Sequence, residues 1–144
     1  MQCSIVVPVY LNEETVVPLI ERLDRLAERL ACRLEVVFVV DGSPDGSFEL
    51  LREQLEDGRR FEAQLLTLSR NFGSFNAIQV GLRESRGELV AVMAADLQEP
   101  ESLMEAFFEV LSGGDYDVAV GTRTSRSDPG ASSSASRLVW WLYR

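Results

Sequence analysis

Polar residues that could do chemistry follow the ends of the apolar runs in this chain. Asp41 comes directly after the second run, Asp96 and Gln98 follow the fourth, and Arg123 follows the fifth. A carboxylate can hold Mg²⁺ or Mn²⁺ against a diphosphate, or accept hydrogen bonds from a base or a ribose. An arginine can bind a phosphate through two parallel hydrogen bonds. The pattern therefore indicates chemistry on a ligand that carries phosphate.

Composition excludes several other kinds of site. The chain has 144 residues and no histidine, and its 14 cations are all arginine, so lysine is absent as well. A Ser-His-Asp triad and a histidine base need an imidazole, and a P-loop or a Schiff base needs a lysine amine. The net charge of −9 argues against a general nucleic-acid binder, which needs a basic face. Carboxylate, arginine, hydroxyl and backbone chemistry remain, with or without a hard metal ion.

Apolar runs rich in β-branched residues alternate with helical patterns along the chain. The runs predict strands over residues 4–9, 35–40, 64–69, 88–94 and 117–121. The helical patterns predict helices over residues 14–30, 47–55, 73–85 and 101–111. Strands that read as continuous apolar runs between helices are typical of an α/β fold with a mostly parallel sheet covered on both faces. Ligands bind such a sheet at the carboxyl ends of its strands, where the polar residues gather.

Several of these polar residues also have a purely structural interpretation. Asn12 could cap the helix after the first strand, and Asp41 could form an Asx-turn. Asp45 is expected to cap the second helix. Asp96 is less suited to capping, because Glu99 lies nearer the start of the fourth helix. Among these residues, Asp96 therefore points most strongly to function.

Two cysteines, Cys3 and Cys32, lie in or beside apolar segments. Buried free thiols are the expectation for both, together with an intracellular setting. No run of 18 apolar residues exists that would span a bilayer, and the first residues lack the pattern of a signal peptide.

The end of the chain differs from the rest. Residues 1–116 carry 21 acids and 10 arginines, a net of −11, whereas residues 117–144 carry 2 acids and 4 arginines, a net of +2. Residues 122–136 are rich in Ser and Gly and predict a flexible loop. Residues 136–144 combine aromatic residues with terminal arginines, which suits a membrane interface or a helix that docks on the core. The predicted organisation is a core at 1–123, followed at 124–144 by a flexible loop and an amphipathic segment.

Five motifs, in order and over nearly the whole chain, resemble the family 2 glycosyltransferases of the GT-A fold. The branch is that of dolichol-phosphate mannosyltransferases and bacterial polyprenyl-phosphate glycosyltransferases. The motifs are VPVY with NE at 7–13, DGSPDG at 41–46, SRNFG at 69–73, ADLQ with Pro100 at 95–100, and GTR at 121–123. The resemblance implies a Rossmann-like, mostly parallel sheet with helices on both faces.

The resemblance also implies roles for residues that match the family's motifs. It places four residues in a nucleotide pocket: Pro8, Tyr10, Glu13 and Asp41. It places three at the diphosphate and the sugar as catalytic residues: Asp96, Gln98 and Arg123. Arg137 matches more loosely a residue that would meet the phosphate of a lipid acceptor. Asp96 is the implied ligand of Mg²⁺ or Mn²⁺, although Ala94 replaces the first acid of the usual Asp-x-Asp motif and Val40 replaces another acid before Gly-Ser.

The implied reaction is an inverting transfer of a hexose from a UDP- or GDP-sugar to a polyprenyl phosphate. Such an acceptor is already an anion, so its attack needs no strong base, which suits a chain without histidine or lysine. The resemblance further implies a longer protein at the cytoplasmic side of a membrane, no nucleic-acid partner, and an oligomeric state that is left open.

Three alternatives remain at this point. The same fold could act on a polysaccharide or glycan acceptor, with a carboxylate as base. Ala94 motivates a module that binds a nucleotide sugar without turnover. A flavodoxin- or receiver-like signalling domain shares the alternating pattern, but receiver domains need a switch lysine that this chain lacks.

Overall fold

The computed structural model describes residues 1–122 of the chain. Four strands form one parallel sheet in the spatial order β3-β2-β1-β4: β1 (Gln2–Val9), β2 (Arg33–Val40), β3 (Glu62–Thr67) and β4 (Leu89–Val92). Four helices connect and follow them: α1 (Val16–Arg29), α2 (Ser47–Glu56), α3 (Ser74–Glu84) and α4 (Glu101–Ser112). The predicted α/β fold with a parallel sheet is confirmed.

The central strands are buried on both faces because helices cover both sides of the sheet. On one face Ile5 and Phe38 belong to the larger core, which also includes the apolar stripe of α1. On the other face Val6 packs with Ala77 of α3 in a smaller core. A Cβ added to Gly81 would lie 2.3 Å from Val6 Cγ1, so the glycine allows α3 to approach β1 closely. The strands of this sheet therefore read as continuous apolar runs rather than alternating ones.

Residues 117–121 were expected to form a fifth strand, and that prediction is wrong for the part of the chain that the structure describes. The segment runs beside β4, where Gly121 and Val92 line the same groove, but it does not join the sheet. Val118 and Val120 are 74% and 77% exposed. Local alternation of apolar residues indicates a strand only where the backbone also pairs with a neighbouring strand, and no such pairing of this segment is found within residues 1–122.

Cys3 and Cys32 are paired as a disulfide, so the expectation of two free thiols is wrong. The pairing follows from strand register, because Cys3 of β1 lies opposite Leu34 of β2 and Cys32 comes just before that strand. The two Cα atoms are 6.1 Å apart, within the span of a disulfide. The inference of an intracellular setting rested on free thiols and no longer follows. Within residues 1–122 no helix has the length and the apolar character needed to cross a membrane.

Glu35 of β2 is a carboxylate buried within the sheet, only 1% exposed. It accepts hydrogen bonds from Ser4 Oγ at 2.5 Å, from Arg86 N at 2.8 Å and from Gln64 Nε2 at 2.9 Å. Burial acts to raise the pKa of Glu35, but the hydrogen bonds from Ser4, Arg86 and Gln64 outweigh it and lower the pKa below its ordinary value. Glu35 therefore has a structural role: it holds the connection between α3 and β4 against β2 at the amino end of the sheet.

Ion pairs fix the start of α4 against α1. Glu101, the first residue of α4, accepts hydrogen bonds from Arg29 at 2.7 Å and from Arg25 at 2.9 Å, and lies 3.6 Å from Arg22. The hydrogen bonds from Arg29 and Arg25 lower the pKa of Glu101 to about 2. Because α4 begins a few residues after Asp96, these ion pairs also fix the backbone that enters the helix there.

We expect Glu101→Gln to destabilise the protein by about 1 kcal/mol at pH 7. The pKa of Glu101 is lower in the folded protein than in the unfolded chain. Its ion pairs therefore contribute stability that is present above about pH 4.5 and lost as the pH falls towards about 2. Denaturant unfolding at several pH values measures the difference, with Glu109→Gln on the exposed side of α4 as the control. A difference that stays constant down to pH 2 would contradict this assignment.

Candidate functional site

A cleft of ≈ 430 Å³ opens at the carboxyl edge of the sheet. The chain builds β1, β2 and β3 in one direction and then returns to place β4 on the other side of β1, so the strand order reverses between β1 and β4. Open α/β sheets bind ligands at such a switch point. Segments after all four strands line the cleft: Pro8, Val9, Tyr10, Asn12, Asp41, Asn71, Gly73, Ser74, Ala94, Ala95 and Asp96.

Four of the residues predicted for the site meet in this cleft: Pro8, Tyr10, Asp41 and Asp96. Pro8 lies near the end of β1 and Tyr10 directly follows the strand; Tyr10 is 41% exposed, so its ring is available to a ligand. The convergence follows from topology, because the carboxyl ends of parallel strands meet at the same edge.

The other predicted residues are placed differently. Gln98 lies on a neighbouring groove, together with Pro100 and residues 121–122. Glu13 is exposed and does not line the cleft. Arg123 and Arg137 lie outside the described residues, as does the predicted loop and amphipathic segment at 124–144.

Asp41 is buried at the floor of the cleft, with 2% of its surface exposed. One carboxylate oxygen accepts the N–H of Phe72 and the other accepts the N–H of Gly73, each at 2.8 Å. Asp41 therefore does not form the Asx-turn that its position suggested. It holds the loop after β3 so that Asn71 and Ser74 form part of the cleft wall.

Asp96 lies exposed at the cleft, after β4. Its Oδ1 accepts the N–H of Gln98 at 3.1 Å, which fixes the side chain over the turn. Leu97 between them has a φ of 62°, and Leu11 after Tyr10 has a φ of 56°. These are the non-glycine residues with positive φ in the described chain, and both directly follow cleft residues at the switch point. Left-handed backbone at such residues costs about 1–3 kcal/mol and clusters at functional sites.

Three polar residues of the cleft were not assigned to it from the sequence: Asn12, Asn71 and Ser74. Asn12 had been considered as a helix cap, but it makes no side-chain capping hydrogen bond. Its Oδ1 accepts the N–H of Tyr10 at 3.0 Å instead. The available signal for Asn71 was its place in the polar segment after the third strand, where ligand-binding loops occur.

The cleft carries negative charge. Its described lining contains the carboxylates of Asp41 and Asp96 and no basic side chain. The amino end of α3 also reaches the cleft, through Gly73 and Ser74, and helix amino ends carry partial positive charge. A ligand with two phosphates would need further cations, either a metal ion or arginines from 123–144.

The described residues do not make a metal centre of their own. Within residues 1–122 no three His, Cys, Asp or Glu side chains are grouped so that they could hold a metal ion. Asp96 supplies one carboxylate to the cleft, and Ala94 beside it supplies none. Mg²⁺ commonly binds through one or two carboxylates together with substrate phosphates. The donor set therefore fits an ion that arrives with a diphosphate.

The sequence matches a family of known enzymes and curated bacterial proteins. The family model described as Glycosyl transferase family 2 matches residues 4–144. The undecaprenyl-phosphate 4-deoxy-4-formamido-L-arabinose transferase of Pseudomonas fluorescens is 36% identical over 137 residues, covering 94% of this chain and 39% of that protein. The protein of the same name from Pectobacterium atrosepticum is 36% identical over 141 residues, covering 98% of this chain and 42% of that protein. The chain thus spans about two fifths of the length of these relatives.

Solved structures share the fold. S. aureus TarS 1–349 in complex with UDP-GlcNAc has a TM-score of 0.67 at 22% identity, covering 90% of this chain and 37% of that chain. The mannosyltransferase PcManGT from Pyrobaculum calidifontis, in complex with GDP-Man and Mn²⁺, has a TM-score of 0.57 at 29% identity, covering 65% of this chain and 27% of that chain. The predicted GT-A fold class is confirmed.

Proposed function

The chain belongs to glycosyl transferase family 2, and from this premise we propose that the protein transfers a sugar from a nucleoside diphosphate sugar to a polyprenyl phosphate. The observation that carries the proposal is the cleft at the switch point, where Tyr10, Asp41 and Asp96 come together. The names of the relatives, which are undecaprenyl-phosphate sugar transferases, support the acceptor class.

The nucleoside would bind between the ends of β1 and β2. The exposed ring of Tyr10 and the pyrrolidine of Pro8 offer an apolar wall for a base. Asp41 already accepts two backbone N–H groups, but each carboxylate oxygen has two lone pairs and can accept a further hydrogen bond from an imide or a ribose hydroxyl. Asn71 can also pair with a base edge, since its amide both donates and accepts.

The diphosphate and the sugar would extend towards Asp96. The phosphate oxygen of the acceptor attacks the anomeric carbon, a new carbon–oxygen bond forms, and the bond to the diphosphate breaks with its electron pair leaving on the nucleotide. Attack opposite the leaving group inverts the anomeric centre. The acceptor is an anion, so no base need remove a proton. The residues act by orienting the two substrates and by stabilising charge on the leaving group.

Four residues are proposed for this step. Asp96 and Gln98 would orient the diphosphate and the sugar, and Arg123 would neutralise phosphate charge that the acidic cleft cannot. Arg137 is proposed for the phosphate of the acceptor. A divalent ion bound at Asp96 would supply further positive charge to the leaving diphosphate.

The identities of the donor sugar and of its nucleotide are part of the proposal. A hexose is the donor that the family resemblance implies. The names of the curated relatives point instead to a modified arabinose, which is a pentose. The membrane location also belongs to the proposal: a water-soluble donor and a lipid acceptor place the reaction at a membrane surface, and we propose the cytoplasmic side.

The test is transfer of radiolabelled sugar by the full-length protein. A panel of UDP- and GDP-linked hexoses and pentoses is offered with undecaprenyl phosphate and, separately, with a polysaccharide acceptor. We expect label in the lipid-phosphate product. Label in the polysaccharide alone would favour the glycan-directed alternative. Saturable binding without any turnover would favour a non-catalytic nucleotide-sugar module.

Divalent metal is expected to bind together with the diphosphate. By calorimetry we expect Mn²⁺ alone to bind more weakly than about 1 mM, since the described residues offer it one carboxylate. The same ion should raise the affinity for UDP or GDP at least about 5-fold and leave the affinity for the nucleoside unchanged. Binding of Mn²⁺ alone at low micromolar concentration would show that protein residues by themselves form a metal site. It would contradict a site that the protein shares with the diphosphate.

A further inference from the structure

The turn after β1 and the turn after β2 hold each other by hydrogen bonds. Three consecutive backbone N–H groups of the first turn each donate to a side-chain oxygen of the second. The pairs are Leu11 to Ser43 at 2.8 Å, Asn12 to Ser47 at 3.2 Å, and Glu13 to Asp45 at 3.1 Å. We call this set of residues, together with Gly46, the clamp.

The clamp is closed in the opposite direction by Glu13. Its Oε2 accepts the N–H of Gly46 at 3.0 Å. A Cβ added to Gly46 would lie 2.8 Å from Glu13 Oε1, which shows how closely the carboxylate is pressed against that backbone. Each turn thus satisfies backbone donors of the other, and displacing one turn would leave donors of both unpaired.

Asp45 accepts hydrogen bonds from residues of both turns of the clamp. It accepts hydrogen bonds from Ser43 Oγ at 2.6 Å and from Ser47 N at 3.2 Å, besides that from Glu13. Burial acts to raise the pKa of Asp45, but the hydrogen bonds from Ser43 and Ser47 outweigh it and lower the pKa. Asp45 was expected to cap α2, but the cap position is Gly46. Asp45 lies one residue earlier and links the N–H of Ser47 to that of Glu13.

The clamp includes a strained residue that lies between two residues of the cleft. Leu11 has a φ of 56° and lies between Tyr10 and Asn12, which both line the cleft. A left-handed leucine persists only where its surroundings hold it there. The hydrogen bonds that the N–H groups of Leu11, Asn12 and Glu13 donate to the second turn keep Leu11 in this conformation. The positions of Tyr10 and Asn12 thus depend on side chains that lie outside the cleft.

We propose that Glu13 is a positioning residue for ligand binding, acting through the Gly46 backbone rather than by contact with the nucleotide. The identity of the ligand rests on the function proposed above. Glu13 accepts the N–H of Gly46 and does not line the cleft. Its carboxylate sets the distance between the two turns, and that distance sets where Tyr10 meets a base.

Two substitutions separate this role from direct contact. Glu13→Gln keeps an oxygen that can accept from Gly46 N but removes the charge, whereas Glu13→Ala removes both. Glu14→Ala deletes the neighbouring exposed carboxylate and serves as the matched control. The measurements, made on the full-length protein well below its unfolding temperature, are the affinity for UDP and GDP and the hydrogen exchange of the ligand-free protein.

We expect Glu13→Ala to weaken nucleotide binding about 5- to 30-fold and to speed amide exchange at residues 10–13, 43 and 45–47 about 10-fold or more. Glu13→Gln should bind within about 2-fold of wild type, and Glu14→Ala should change neither quantity. Unchanged exchange in ligand-free Glu13→Ala would overturn the proposal, as would Glu13→Gln binding as weakly as Glu13→Ala. If wild type binds no nucleotide, the proposed function fails, and the exchange comparison still decides whether Glu13 holds the turns.

Discussion

Replacing Asp96 by Asn is expected to lower sugar transfer by the full-length protein about 10²- to 10³-fold. Asparagine keeps an oxygen that can accept the N–H of Gln98, which Asp96 accepts at 3.1 Å, so the turn should survive. The substitution removes the negative charge where the diphosphate and any bound cation are proposed to lie. Initial rates of label transfer measure the effect, and Asp115→Asn, at an exposed position beyond α4, is the matched control.

The loss should fall on turnover rather than on base recognition. Asp96 lies after β4, whereas the proposed base site lies at Tyr10 and Asp41, across the switch point. We therefore expect the affinity of Asp96→Asn for the free nucleoside to stay within about 2-fold of wild type. Undiminished transfer by Asp96→Asn would remove Asp96 from the mechanism. A loss of nucleoside affinity as large as the loss of rate would place it in the base site instead.

Gly42→Ala is expected to have the largest effect on the fold near the cleft. Gly42 has a φ of 59°, and a Cβ there would lie 2.2 Å from the carbonyl carbon of Arg70 and 2.6 Å from Asn71 N. The loop after β3 crosses directly over this glycine, and no flexible side chain can move aside to relieve the contact. We expect a loss of about 2–4 kcal/mol in the free energy of unfolding.

The same substitution should also weaken nucleotide binding in the protein that remains folded. Moving the loop stretches the hydrogen bonds that Phe72 and Gly73 donate to Asp41, each now 2.8 Å. Denaturant unfolding and nucleotide titration measure the two effects. Gly58→Ala is the control, because nothing lies within 4 Å of its added Cβ, and it should stay within about 0.5 kcal/mol of wild type. Equal stability of Gly42→Ala and Gly58→Ala would show that the loop accommodates a side chain at residue 42.

The periodicity of apolar residues predicted those strands and helices whose apolar side chains are buried by neighbouring elements. The predicted strands at 4–9 and 35–40 are found within β1 and β2, and the predicted helix at 101–111 is found within α4. The two strands are buried on both faces and α4 buries Met104 and Phe108 on one face, so the apolar pattern and the structure agree. The meeting of Tyr10, Asp41 and Asp96 was predictable for a related reason, since parallel strands bring their carboxyl ends to one edge.

Features that depend on distance between segments were not predictable. Free thiols were expected at Cys3 and Cys32, yet the register of β1 and β2 brings the two sulfurs together. The motif around Glu13 gave no indication that its carboxylate accepts the N–H of Gly46. Each outcome depends on how two segments far apart in sequence approach one another, which local residue patterns do not encode.

The absence of histidine and lysine limits the sources of positive charge at the acidic cleft. The described lining carries two carboxylates and no cation. Positive charge for a diphosphate must then come from a metal ion or from arginines outside this lining, because arginine is the one cationic side chain type in the chain. This distribution is consistent with an acidic nucleotide-binding body and a mildly basic segment for an anionic acceptor.

The place where the nucleotide binds is tested most directly by mapping backbone amide shifts while UDP or GDP is added to ¹⁵N-labelled protein. We predict saturable shifts centred on the cleft, at Tyr10, Asn12, Asn71, Gly73 and Ser74. Shifts centred on the groove between β4 and residues 119–121, or no saturable shift at millimolar nucleotide, would contradict a nucleotide site at the switch point.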